Sequence, residues 1–209
     1  MSSSNIQNAQ SLRERLEKAA QIDDPLKRRL YTLGVITRAL SRYKVVPILV
    51  GGSAVEFYTL GGYSTLDIDV VVSGREEFDA ILRTLGFSKG KGERHWYNEA
   101  LDIAIEAPDS KLAGSKEKIT TIQIDDLSVY IIGIEDLILD RLRAFVFWKS
   151  SSDGEWAGRM IGVHASWIDW NYLHEQASRE GLDRALNEIK REALGAPPPP
   201  YSEAGEDED

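Results

Sequence analysis

An α+β fold is predicted for this chain: a small mixed β-sheet with flanking helices, followed by a helical C-terminal part. Three observations predict it. Short apolar and β-branched runs (VVPILV, LDIDVVV, KITTIQID, LSVYIIG) recur up to residue 133, interleaved with stretches of helical period. From Ile134 onward no strand pattern returns and helical periods take over. With 209 residues, 42% of them hydrophobic, the chain is long enough to bury a real core.

The first ten residues are polar and read as disordered. Leu12 and Leu16, with Ala19 and Ala20, then repeat at helical spacing. Asp24 before Pro25 reads as an N-cap with proline at the first helical position. Leu26, Leu30, Leu33 and Leu40 mark the buried face of a helix running to about Ser41. VVPILV (45–50) is a buried strand that meets a tight turn at Gly51-Gly52. Ser53 is placed to cap the helix AVEFYTL, which Gly61-Gly62 stops. LDIDVVV (66–72) is a second strand, apolar apart from two aspartates, and a helix follows from about Arg75 to Leu85.

Residues 86–93 read as a loose strand end and turn. Next comes a hairpin of roughly 94–97 against 101–106, ended by Pro108. KITTIQID and LSVYIIG are two further strands. EDLILDRLRAFVFW and then about 153–164, 167–180 and 182–194 read as helices. The organisation expected is a partly helical extension over 1–24, a sheet-bearing domain over 25–133 and a helical part over 134–195. A disordered Pro-rich acidic tail over 196–209 is too poor in apolar residues to fold.

Composition excludes several classes. No cysteine is present, so disulfides, thiol catalysis and cysteine-based zinc sites are ruled out. The three histidines, His95, His164 and His174, are widely spaced, which speaks against a histidine-rich metal cluster. No apolar run is long enough to span a membrane and the N-terminus lacks a secretory h-region, so a cytoplasmic protein with no membrane partner is expected. Net charge is −9. Five acids (Glu203, Glu206, Asp207, Glu208, Asp209) lie in the tail with no base, so the body carries −4. That balance argues against a nonspecific nucleic-acid coat and leaves room for a small local basic site.

One stretch carries chemistry: Val50-Gly51-Gly52-Ser53, a gap of thirteen residues, then Asp67-Ile68-Asp69-Val70. On a strand, Asp67 and Asp69 point the same way, ~7 Å apart. Two carboxylates on one face of an apolar strand repel each other and resist desolvation unless something positive lies between them. A divalent ion meets that need, and Mg2+ favours one or two carboxylates plus phosphate oxygens and water. Gly51 and Gly52 allow close backbone approach to a phosphate, and Ser53 at a helix N-terminus adds a hydroxyl and oriented N–H groups. An anion cradle beside a metal site is what transfer from a nucleoside triphosphate (NTP) requires.

This segment resembles the nucleotidyltransferase superfamily related to DNA polymerase beta. Its pattern is a hydrophobic residue, Gly, Gly or Ser, about a dozen residues, then Asp-hydrophobic-Asp. The resemblance implies that residues 25–133 form the nucleotidyltransferase domain. It also implies that Asp67 and Asp69 hold Mg2+, in a one- or two-ion site, and that Gly52 and Ser53 contact the triphosphate of an NTP substrate. A third carboxylate on a later strand would help hold metal or activate the attacking hydroxyl. Asp102 in LDIAIE matches best. Alternation puts Asp102, Ala104 and Glu106 on one face, which keeps Glu106 in reserve.

VYIIGIEDLILDRLRA resembles a segment of the abortive-infection toxin nucleotidyltransferases, and WIDWNYLHEQASREGLDRAL resembles their C-terminal helices, so the likeness covers about 30–195. It implies an acceptor such as RNA or protein, and an antitoxin as partner. That group carries an adjacent basic–acidic pair after the E-D-L helix. Here Lys149 and Asp153 are separated by three serines, and Arg141 or Arg143 would supply the phosphate-neutralising charge instead.

Other residues have plainer readings. Glu135 and Asp136 suit the positive end of a helix dipole. His95 reads as structural, and His164 and His174 as surface or packing residues. Trp148, Trp156, Trp167 and Trp170 follow helical periods and read as core between helices, with stacking on RNA bases as the alternative. The acidic tail reads as a solubilising extension, or else as a contact for a basic partner.

Overall fold

The computed structural model describes residues 3–89 and 94–195. Among the described residues there are eight α-helices and one six-stranded mixed sheet, the α+β class expected. The chain starts with α1 (Ser3–Ala20), α2 (Pro25–Leu40) and a 3₁₀ turn over Ser41–Tyr43. It continues through β1 (Ile48–Leu49), α3 (Gly51–Tyr58), β2 (Asp67–Val71) and α4 (Arg75–Thr84). The hairpin β3 (Trp96–Asn98) and β4 (Ile103–Asp109) leads through a 3₁₀ turn at Lys116–Lys118 to β5 (Thr120–Ile124) and β6 (Leu127–Ile131). Four helices close the described chain: α5 (Ile134–Phe147), α6 (Ser151–His164), α7 (Trp170–Arg179) and α8 (Asp183–Ala193). No helix among the described residues is long and apolar enough to cross a membrane. The expected tail over 196–209, and residues 90–93 of the expected turn, lie outside the described residues.

Strand order is β3-β4-β2-β1-β6-β5. β1 runs antiparallel to β2 and parallel to β6, and β2 runs parallel to β4. Burial alternates along β2, β4 and β6, so the sheet has two unlike faces. Leu49, Ile68, Val70, Ile105, Val129 and Ile131 belong to one buried cluster that takes in Leu33 and Ile36 of α2 and Phe78 of α4. Asp67, Asp69, Ala104, Glu106, Ser128 and Tyr130 stand on the opposite, half-exposed face.

Local chemistry explains most boundaries. The Asp24 carboxylate accepts from the Lys27 N–H, and Pro25 opens α2 as expected. α1 departs from expectation: it begins at Ser3, and Leu12, Leu16 and Ala19 are buried in the common core rather than standing apart as an extension. VVPILV contributes only Ile48 and Leu49 to the sheet. Pro108 does not end the hairpin but lies inside β4, where the β2–β4 register shifts between Asp69 and Val71. A residue with no N–H to donate fits at such a bulge.

The helical C-terminal part shares the same core, since Leu137, Ile138, Met160, Leu173 and Leu186 belong to the cluster that fills the sheet side. Glu135 and Asp136 do more than face a helix dipole. Both are buried. Asp136 accepts from the Tyr172 hydroxyl at 2.7 Å and the Ser115 N–H at 2.8 Å, and Glu135 accepts from the Asp169 N–H at 2.8 Å. These bonds tie α5 to α7 and to the loop before β5. The four C-terminal tryptophans divide: Trp156 and Trp170 pack partly buried against the core, whereas Trp148 and Trp167 are 83% and 81% exposed. Both exposed rings stand where helical periodicity ends, Trp148 at the C-cap of α5 and Trp167 in the turn before α7.

Candidate active site

The turn from β1 into α3 is built around Asp69. The Val50 N–H donates to the Asp69 carbonyl at 2.9 Å, extending the antiparallel pairing past the end of β1. Gly51 then takes φ +58°, and a Cβ there would run into the Asp69 carboxylate. Glycine is therefore required twice over, for its backbone angle and for its lack of side chain. The Gly52 backbone amide lies near enough to the Asp69 carboxylate to favour its charged form. A Cβ on Gly52 would stand 3.0 Å from the Tyr63 ring and 3.3 Å from the Thr65 hydroxyl. The cradle is thus closed on one side by the loop that follows α3.

Ser53 does not cap α3. The helix begins at Gly51 with Val50 in the cap position, which leaves Ser53 inside the first turn and 1% exposed. Its hydroxyl donates to the Asp67 carbonyl at 2.7 Å, so it fastens α3 to β2. The same loop is held from below. Glu56 of α3 forms a buried ion pair with Arg29 of α2, and its carboxylate also accepts from the Thr65 N–H at 3.3 Å.

Asp67 and Asp69 share the open face of β2, as alternation requires. In the parallel ladder, Asp67 stands opposite Ala104 and Asp69 opposite Glu106. The acid beside the pair is therefore Glu106, the reserve candidate. Asp102, favoured from the sequence, is not on the strand. It sits in the turn before β4 at φ +52°, where the Tyr97 hydroxyl donates to its carboxylate at 2.8 Å. His95 has a partner on this face: its Nε2 lies 3.0 Å from the Glu106 carboxylate, a contact that is ionic when the imidazole is protonated.

Electrostatics single out Asp69. Burial pushes its carboxyl above the ordinary range, and the neighbouring charges of Asp67 and Glu106 push the same way. The Gly52 N–H and His95 oppose the shift. The three acids are hard oxygen donors of the kind Mg2+ accepts. Among the described residues, no group of three or more acidic or histidine side chains is already gathered to hold an ion. Asp67, Asp69 and Glu106 stand side by side on two strands, and their mutual repulsion is the feature that a cation would relieve.

Arg141 does not offer a free charge. Its guanidinium is engaged by Asp140 and, at 2.7 Å, by Asp153. Arg143 is held by Glu180 at 2.5 Å. Arg159 of α6 reaches the loop that follows α3. It lies 3.3 Å from a Cβ placed on Gly62 and stacks 5.3 Å over the Trp156 ring, which in turn packs edge-on at 5.0 Å against Tyr63. No sequence signal marked Tyr63, Thr65 or Arg159, because a turn and a helix from distant parts of the chain bring them together. His164 and His174 are packing residues, beside the Tyr58 carbonyl and Lys190 respectively.

No protein-family model matches the chain, and no curated protein matches it.

Proposed function

We propose that the protein is an Mg2+-dependent nucleotidyltransferase that moves a nucleoside monophosphate from an NTP to an acceptor hydroxyl. The observation that carries this reading is the clasp on Asp69. A half-buried carboxylate, flanked by Asp67 and Glu106 on an open sheet face, is gripped by the glycine turn that opens a helix. Asp67, Asp69 and Glu106 are the residues that would hold Mg2+. The ion, when bound, supplies positive charge that offsets both the carboxylates and the phosphates.

The chain's own groups supply the rest. The first turn of α3 presents the positive end of a helix to phosphate oxygens. In the reaction the acceptor oxygen bonds to the α-phosphorus, the bond from that phosphorus to the bridging oxygen breaks, and pyrophosphate leaves. The hydroxyl proton passes to the Glu106 carboxylate, whose orientation His95 holds. Arg159, at the loop that follows α3, is the side chain suited to the outer phosphates, in place of Arg141. An RNA or protein acceptor and an antitoxin partner belong to the same proposal, supported by the resemblance of the E-D-L segment to toxin-type enzymes.

One observation favours a second reading, a nucleotide-binding module that does not transfer: the arginine expected to face the triphosphate is consumed by Asp140 and Asp153. The deciding experiment is thermal stability with each NTP, with and without Mg2+, beside an Asp67→Asn/Asp69→Asn variant, followed by transfer of labelled phosphate. Metal-dependent stabilisation lost in the variant, together with transfer, supports the enzyme. Stabilisation without transfer supports the module, and no stabilisation by any NTP refutes both.

A further inference from the structure

Beyond Asp69 the open face of the sheet runs into a groove of about 820 Å³. Its floor is a single rung across four strands: Val71, Ile48, Tyr130 and Thr121, paired in register. Val71 lies two residues along β2 from Asp69, ~7 Å away on the same face, so the groove adjoins the carboxylates. It leaves them on the side away from the glycine cradle, because β1 runs antiparallel to β2 and Gly51 follows its far end.

The rim is basic. Lys44, Lys111 and Lys116 line the groove, with Ser73 and Ser110 between them, and no carboxylate lines it among the described residues. All three lysines are exposed. None forms an ion pair among the described residues, whereas Lys18 and Lys118 each reach an aspartate within 3 Å. The nearest acid in sequence, Asp109, accepts from the Ser110 and Lys111 N–H groups at 2.6 and 3.0 Å, and the Lys111 charge acts on it as well without closing an ion pair. Three unpaired ammonium groups around one chamber stand out in a chain of net charge −9. An ammonium is a point charge suited to phosphate, and an apolar floor with one tyrosine suits a planar ring.

We propose that this groove holds the acceptor and that the acceptor is a nucleotide, its phosphate on the lysine rim and its base against Tyr130 and Val46, the lining side chains that keep exposed surface. The assignment of the groove to the acceptor rests on Asp67, Asp69 and Glu106 being the transfer centre. Three lysines in an acidic body fit one or two nucleotides, free or at a strand end, and not a long duplex track.

The test is calorimetric binding of adenosine 5′-monophosphate, adenosine and the dinucleotide ApA to the full chain. The wild type is compared with Lys44→Gln/Lys111→Gln/Lys116→Gln and with Asp67→Asn/Asp69→Asn. The phosphorylated probes are expected to bind the aspartate variant as they bind the wild type, and to bind the lysine variant at least about tenfold more weakly. Binding of the monophosphate identifies a free nucleotide as sufficient, and binding of ApA alone identifies a strand end. Equal binding of adenosine and its monophosphate would overturn the proposal, as would unchanged affinity in the lysine variant or no binding of either phosphorylated probe. Mg2+-dependent stabilisation by NTP reports the transfer centre separately. Its absence, with lysine-dependent binding intact, would overturn the acceptor role and refute the transfer reading while leaving a phosphate-binding groove.

Discussion

Asp69 of β2 and Glu106 of β4 stand opposite each other in register on adjacent parallel strands, so their carboxylates share the open face of the sheet. On the transfer reading this pairing makes Glu106 the acid that works with Asp69, and it separates two substitutions that look alike in the sequence. Glu106→Gln is expected to abolish nucleotidyl transfer, a loss of at least about 100-fold if the carboxylate takes the proton, while the fold is kept. Asp102→Asn is expected to leave transfer within about twofold, because it touches only the hydrogen bond from Tyr97, worth ~1 kcal/mol or less at an exposed site. Label transfer by the two variants, with circular dichroism as the folding check, makes the comparison.

The charge on Asp69 works against the fold. Its carboxyl is raised above the ordinary 3.8, so the native state binds this proton more tightly than the unfolded chain does. The stabilisation linked to protonation is full below 3.8, is lost as pH rises through the elevated native value, and stays lost at neutral pH. Asp69→Asn keeps the size of the side chain and carries no charge. Without metal it is expected to melt above the wild type at pH 7, by on the order of 2 °C. The gap should close as the pH is lowered towards 4. Mg2+ should narrow it at pH 7 by stabilising the wild type alone. A variant that melts below the wild type at pH 7 would show that the strain is not there.

Gly51 and Gly61 both have positive φ, +58° and +81°, but only Gly51 is crowded. Gly61→Ala is expected to cost about 1–2 kcal/mol, the price of the backbone angle, and to leave nucleotide-dependent stabilisation intact. Gly51→Ala adds a collision with Asp69, so it should melt lower still and lose that stabilisation. Scanning both variants with and without NTP and Mg2+ checks the contrast.

Arg29 and Glu56 are only 6% and 8% exposed. Arg29→Met would strand the Glu56 carboxylate in the core and is expected to cost about 3–5 kcal/mol. Arg29→Met/Glu56→Gln should be less destabilised than Arg29→Met alone, since no buried charge remains and the Thr65 N–H keeps an acceptor. Urea midpoints and slopes of the two variants test this order.

Much of the architecture was legible in the sequence because it depends on neighbours along the chain. Asp24-Pro25 opens α2, the apolar runs form strands, and residues from Ile134 on form helices only, since capping and period are local properties. Alternation likewise placed Asp67 and Asp69 on one face. Alternation also put Asp102 and Glu106 on a common face, but a period of two says nothing about which rung of the next strand lies opposite. The register of β4 against β2 brought Glu106 to Asp69, and the start of β4 at Ile103 left Asp102 in the turn before it. The Ser53 hydroxyl went to a carbonyl on β2, and Arg141 went to Asp153 on the following helix. Tyr63 reaches Gly52, and behind it Trp156 and Arg159 pack in from a segment far along the chain. Local pattern along the chain was enough for the class of fold and for an acidic strand behind a glycine turn. The acid opposite Asp69, the lysines without ion pairs and the groove came from packing, because each depends on contacts between segments that no local pattern encodes.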